Sequence, residues 1–286
     1  MRAQSLSFNR LLMYVVLISL FLFLAGNTGQ YLINNQGMNR ELGILLQGVI
    51  FTGLTIIFLY IFKKRHPNVL KDIKLVGVSI SAKSIIGILL PFILLIAGVL
   101  SASMFGIIEN VKLNLTSTVI IAVGINTLTA FLYEAFPEEV FIRGLIFNEL
   151  RKKFSFIASL FLQPIIFVCI PTIVIALQTL LLGEPFTVGV EYIILLYVFG
   201  IALQLYRHYT GILWASILFH LVYLEVTRYI SSGGIYDPDV ALLTFDEPVE
   251  GTLMVYLSLL FIIILSIVVL SILILIDRRN RRKQHE

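Results

Sequence analysis

The chain has 286 residues, 58% of them hydrophobic and only 13% charged, with a net charge of +4. A soluble domain is nearer half apolar and a quarter charged, so this balance excludes a soluble globular enzyme and points to one polytopic membrane bundle. The excess of basic residues does not mark a nucleic-acid partner, because the lysines and arginines sit beside apolar runs, where they orient a membrane protein.

Taken in order, the first span is Leu11–Gly26, with room to extend to Leu32. It is long and lacks a clear small-residue cleavage site, so it reads as a span and not as a cleavable signal. Gly43–Phe62 is the second, stopped by Lys63, Lys64 and Arg65, and a basic amphipathic connector follows through Lys71, Lys74 and Lys83. Ile85–Gly106 is the third, and Thr118–Phe136 the fourth, interrupted by Pro137. Phe154–Leu182, with Pro164 and Pro171 inside it, is the fifth. Val188–Tyr206, Ile212–Ile230 and Leu253–Ile276 complete the set, and a basic tail closes the chain. Each run is close to the roughly 20 residues that a helix needs to cross a bilayer and too long for a barrel strand. The expected fold is therefore all-α, a polytopic membrane bundle of about eight transmembrane helices.

The loops alternate in charge. Arg2, Arg10, Lys63–Arg65, Lys71, Lys74, Lys83, Arg151–Lys153, Arg207 and the tail Arg278–Lys283 fall on one side. Arg40, Lys112 and the acidic loop with Asp237, Asp239, Asp246, Glu247 and Glu250 fall on the other, with Arg228 near a span end. The positive-inside rule then places both termini in the cytoplasm of a multi-pass cell-membrane protein. Three regions are expected. Residues 1–84 hold two spans and the basic connector, 85–230 a core, and 231–286 the acidic external loop, the last span and the tail. The lone cysteine, Cys169, reads as a small buried hydrophobe.

The stretch Phe136–Gly144 puts Glu138, Glu139 and Arg143 into this apolar chain. A charge at bilayer depth costs about 2.5–3.5 kcal/mol on insertion scales, so these groups need partners, water or a function. Pro137 removes a backbone donor, which predicts a helix break and a restart through Glu138–Leu150. Glu139 and Arg143, four apart, share a face and pair. Glu138 points about 100° away from that pair. Glu134 joins it if the helix runs nearly continuous, and a carboxylate so placed is a plausible general base. On spacing alone, the same residues also read as a helix-packing ion pair with Glu138 snorkelling to water. Among the histidines, His66, His208 and His285 read as surface residues, whereas His220 falls mid-span and is a functional candidate.

Glu138-Glu139-Val-Phe-Ile-Arg143-Gly144 resembles the first motif of the CAAX-protease and bacteriocin-processing (Abi) family of intramembrane proteases. Thr210-Gly-Ile-Leu-Trp-Ala-Ser-Ile-Leu-Phe-His220 resembles its last motif. The order and spacing of the two also fit, and the resemblance spans about Ile85–Val226. It implies a helical bundle around a conical cavity open toward the cytosol. It further implies that Glu138 activates water for attack on a peptide bond and that His220 steadies the oxyanion, with Glu139 and Arg143 in the same catalytic motif. No cofactor and no metal are implied. The chain departs from the pattern twice: Pro171 stands where the middle motif carries histidine, and Leu224 where the last motif carries asparagine. The candidate substitutes are Glu225, next to the lost asparagine position, and Tyr133, Glu134, Gln178, Glu191 and Tyr223, within reach of a central cavity.

Two functions follow. One is an intramembrane endopeptidase acting on a membrane-associated peptide, prenylated or leader-bearing. The other is a catalytically degenerate relative that acts as a membrane scaffold, a regulator of a cell-envelope enzyme or a bacteriocin self-immunity protein. The expected partners are the lipid bilayer with a peptide or membrane-protein substrate or, for the second function, another membrane protein. A transporter ranks last, because internal repeats are missing and intramembrane polar residues are few.

Overall fold

The computed structural model describes residues 6–77, 80–231 and 240–283. Arg2, Asp237, Asp239 and His285 lie outside the described residues. Long helices dominate: α1 (Phe8–Gln36), α2 (Arg40–Arg65), a short α3 (Val69–Asp72) and α4 (Ala82–Met104). They are followed by α5 (Ser117–Leu150), α6 (Phe156–Leu182) and α7 (Val190–Thr210). Next comes α8 (Leu213–Glu225), which runs on through the π-helical turn Val226–Ile230. The last is α9 (Met254–Lys283). In lipid a backbone must satisfy its own polar groups, and a helix does so within one segment. The helix starts are set by local chemistry, with side chains of Ser7, Asn39, Ser81, Thr116 and Ser155 accepting from the first turns.

Seven of these helices are long and apolar enough to cross a membrane. Together they make this a multi-pass membrane protein. The eighth expected span is helical too, as α8, but stands outside that seven. It is shorter than the others, and His220, Glu225 and Arg228 lower its hydropathy. Most of Leu213–Leu224 is buried by neighbouring helices, so α8 is free to carry His220, Glu225 and Arg228. The lipid-facing helices show the reverse pattern and expose large apolar side chains such as Ile57, Ile96 and Leu275. Cys169 follows the same rule. It is exposed on α6, against the expectation of burial, because in a membrane an apolar residue gains nothing by turning inward.

Successive long helices run antiparallel. At the basic end Lys83 pairs with Asp277 at 2.5 Å, and the Asn148 amide donates to the Asp72 carbonyl at 2.8 Å. At the opposite end two short strands, β1 (Glu109–Leu113) and β2 (Leu243–Asp246), pair antiparallel with Glu109 facing Asp246. We call this the strand end. The strands have no counterpart in the sequence reading. The turn between α7 and α8 uses Gly211 at φ 75°, a conformation that other residues rarely adopt. Arg207, His208 and Tyr209 lie in the last helical turn of α7, and Arg207 is buried there.

The expected break at Pro137 does not occur. A π-helical turn, Phe131–Ala135, precedes it, and the Phe136 N–H bonds the Phe131 carbonyl. The widened turn accommodates the proline without ending α5. A second π-helical segment, Val140–Ile146, follows directly after Glu139. Glu138 and Glu139 thus occupy one short α-helical turn, Phe136–Glu139, between two widened ones.

Candidate active site

Glu139 is completely buried, as is Arg143. The two are joined by Arg143 Nη1 to Glu139 Oε1 at 2.9 Å. Two groups from α8 complete the shell of Glu139. His220 Nδ1 lies 3.2 Å from Oε1, and the Ser216 hydroxyl contacts Oε2. Ser216 and His220 are four apart, so one face of α8 delivers both. The Arg143 guanidinium also sits over the Phe167 ring of α6, 4.4 Å from its centroid, a cation–π contact strengthened by desolvation. The Phe199 ring of α7 meets the His220 ring edge-on, with centroids 4.9 Å apart. Glu139 thereby ties α5 directly to α8, while Arg143 and His220 extend the contact to α6 and α7.

Glu138 has the opposite environment. Its carboxylate has no hydrogen-bond or ion-pair partner among the described residues, and the residue is only partly buried. It lines a cavity of about 300 Å³ together with Glu134, Tyr133, Tyr192, Tyr223 and His220. The remaining wall is apolar and includes Phe167, Pro171 and Leu224. Pro171 and Leu224 thus line the same cavity as Glu138. The His220 ring is held through Nδ1, and Nε2 has no partner among the described residues. An unpaired carboxylate, a histidine nitrogen and phenolic donors around one small chamber suit proton transfer to and from a water at a carbonyl.

Of the substitutes named from sequence, Tyr133, Glu134 and Tyr223 line the cavity. The other three do not. Gln178 bonds Asn27 at 3.4 Å, Glu191 is exposed at the start of α7, and Glu225 accepts from Asn126 at 2.6 Å and Thr127 at 3.0 Å. Glu134 is itself paired with Arg228 at 2.5 Å. Two participants escaped the sequence reading. Ser216 carried a usable signal, its i, i+4 spacing to His220 on a buried helix. Tyr192 carried none, because α7 reaches the cavity only through the tertiary fold.

Residues 120–223 match the family model described as Type II CAAX prenyl endopeptidase Rce1-like. This segment is similar to that family. The matched segment contains Glu138, Glu139, Arg143 and His220 and agrees with the resemblance carried by the two motifs. It leaves α1 to α4 and α9 outside. No curated protein and no solved structure gives a match to the chain.

Proposed function

We propose that the protein is an intramembrane endopeptidase of the CAAX-protease type, with Glu138 as the base that activates water. One observation carries this reading: Glu138 faces the cavity without a partner, while its neighbour Glu139 is saturated by Arg143, His220 and Ser216. In the reaction Glu138 takes a proton from water, and the hydroxide adds to the scissile carbonyl. The oxyanion forms among the donors that line the cavity, His220, Tyr192 and Tyr223. Glu138 then returns the proton to the departing amine as the C–N bond breaks. Glu139 and Arg143 act as positioning residues. They hold the α5 turn and the imidazole in place. The substrate class is a membrane-associated peptide, prenylated or leader-bearing, and the core is 85–230. The basic end, with both termini, faces the cytoplasm. The test is hydrolysis of a membrane-inserted peptide library by the purified protein in vesicles, wild type against Glu138→Ala. Cleavage that survives this substitution in a folded protein defeats the assignment.

A second reading rests on its own observation. Pro171 and Leu224 both line the cavity, so the positions where the family carries a histidine and an asparagine hold no acid or base. On this reading the protein keeps the fold as a scaffold, regulating a cell-envelope enzyme or conferring bacteriocin self-immunity. It predicts that wild type cleaves nothing and that Pro171→His with Leu224→Asn creates hydrolysis.

A further inference from the structure

We propose that the basic end of the bundle carries a binding site for the phosphate headgroup of an anionic membrane lipid, in the pocket between α4, α7 and α9. The inference goes beyond the endopeptidase reading and does not rest on it, because no residue of the active-site cavity lines this pocket.

The pocket arises from the way α4 and α9 meet. Toward the strand end Gly98 lets α4 press against α9, and a Cβ added there would meet Leu257 at 2.5 Å and Phe261 at 3.1 Å. Toward the basic end the two helices enclose a pocket of about 630 Å³. Its back wall is the last turn of α7, which packs against α4 where Gly87 leaves room for Thr210. All three helices leave the apolar core at this level. α4 starts at Ala82 and α7 ends at Thr210. α9 passes there from an apolar run ending at Ile276 to the charged tail that begins at Asp277. In a bilayer that level is the headgroup region, where apolar spans give way to charge.

The side chains suit a phosphate. Lys83, Arg278 and Arg281 line the pocket together with one carboxylate, Asp277. Asp277 bonds Lys83 at 2.5 Å and Arg281 at 3.2 Å, so it gathers a cation from each helix to one point. The Arg278 guanidinium lies over the Phe156 ring, 6.0 Å from its centroid, and has no ion-pair partner among the described residues. One carboxylate cannot neutralise three cations, which leaves the pocket positive. A guanidinium meets phosphate oxygens with a planar pair of donors. The flank suits a lipid in particular. Ile85 and Ile86 lie one turn deeper than Ser81–Lys83 on α4, Leu275 lies one turn deeper than Arg278 on α9, and all three are exposed. An acyl chain gains from that apolar flank, and a free phosphate ester does not. Basic pockets between spans on the cytoplasmic side are a setting in which anionic headgroups bind.

The test is native mass spectrometry of the purified full chain in detergent. The protein is titrated with phosphatidylglycerol and, in a parallel arm, with phosphatidylcholine of the same acyl chains. Phosphatidylglycerol is expected to bind about fivefold more tightly or better. Arg278→Gln and Arg281→Gln should each weaken it about fivefold, the ratio for about 1 kcal/mol per basic residue at the membrane surface. Two variants are used so that if one misfolds the other decides. Arg65→Gln, on a separate groove at the same end, should leave the affinity unchanged. Equal affinity for the two lipids overturns the site, and so does unchanged binding in the folded pocket variants. A loss in Arg65→Gln equal to theirs also overturns it, since diffuse surface charge then explains the binding. A third arm adds glycerol 3-phosphate, which carries the phosphate without acyl chains. It is expected to displace the lipid only at concentrations about a hundredfold higher. Displacement at matching concentration makes the ligand a free phosphate ester and overturns the lipid assignment.

Discussion

Glu138 and Glu139 are neighbours in one turn of one helix, yet their environments have nothing in common. Glu139 is wholly buried and spends its oxygens on Arg143, His220 and Ser216. Glu138 keeps its carboxylate without a partner on a chamber. A charge kept deep in a membrane protein is either structural or functional, and here the two uses occupy adjacent residues. The lesson is that the glutamate with more contacts is the one expected to matter less for chemistry and more for stability.

That contrast is open to attack at several points. Glu139→Ala should have the largest effect on stability, about 3–5 kcal/mol, because it leaves Arg143 buried and uncompensated. Thermal unfolding in detergent would show it, and an equal loss in Glu138→Ala would erase the distinction. Ser216→Ala should cost about 1–3 kcal/mol by leaving a buried carboxylate oxygen unsatisfied. It should spare hydrolysis more than it spares stability, and the reverse ranking would make Ser216 a participant in the reaction. Phe167→Leu removes the ring beneath Arg143 and should cost about 0.5–2 kcal/mol. The same substitution reshapes the chamber wall, so cleavage-site preference is expected to shift along with it. A peptide profile identical to wild type would separate Phe167 from the substrate path.

Much of the architecture was legible in the sequence. Apolar runs of about 20 residues placed the long helices, because lipid leaves a segment few other ways to satisfy its backbone. The departures have separate causes. α8 is helical where a span was expected, but neighbouring helices bury most of it, which is how it carries His220, Glu225 and Arg228. Pro137 was expected to break α5, but the π-helical turn Phe131–Ala135 absorbs the lost donor, and no local sequence rule announces such a turn. Cys169 was expected inward by the logic of soluble cores and faces outward by the logic of bilayers.

The site was half legible. The i, i+4 spacing of Glu139 and Arg143 foretold their ion pair, and the two motifs brought Glu138 and His220 into one chamber with Pro171 and Leu224. Spacing along the chain cannot say which polar side chains converge from other helices. That is why Tyr192 went unseen, and why Gln178, Glu191 and Glu225 were named although the fold keeps them out of the chamber.

The central claim is that Glu138, and not Glu139, does the chemistry. The most direct measurement is hydrolysis by Glu138→Gln, an isosteric change that removes the base and disturbs little else, followed beside its thermal unfolding. The account predicts that cleavage of a membrane-inserted peptide falls about 10²–10⁴-fold while stability stays within about 0.5 kcal/mol of wild type. Undiminished cleavage by the folded variant would contradict it.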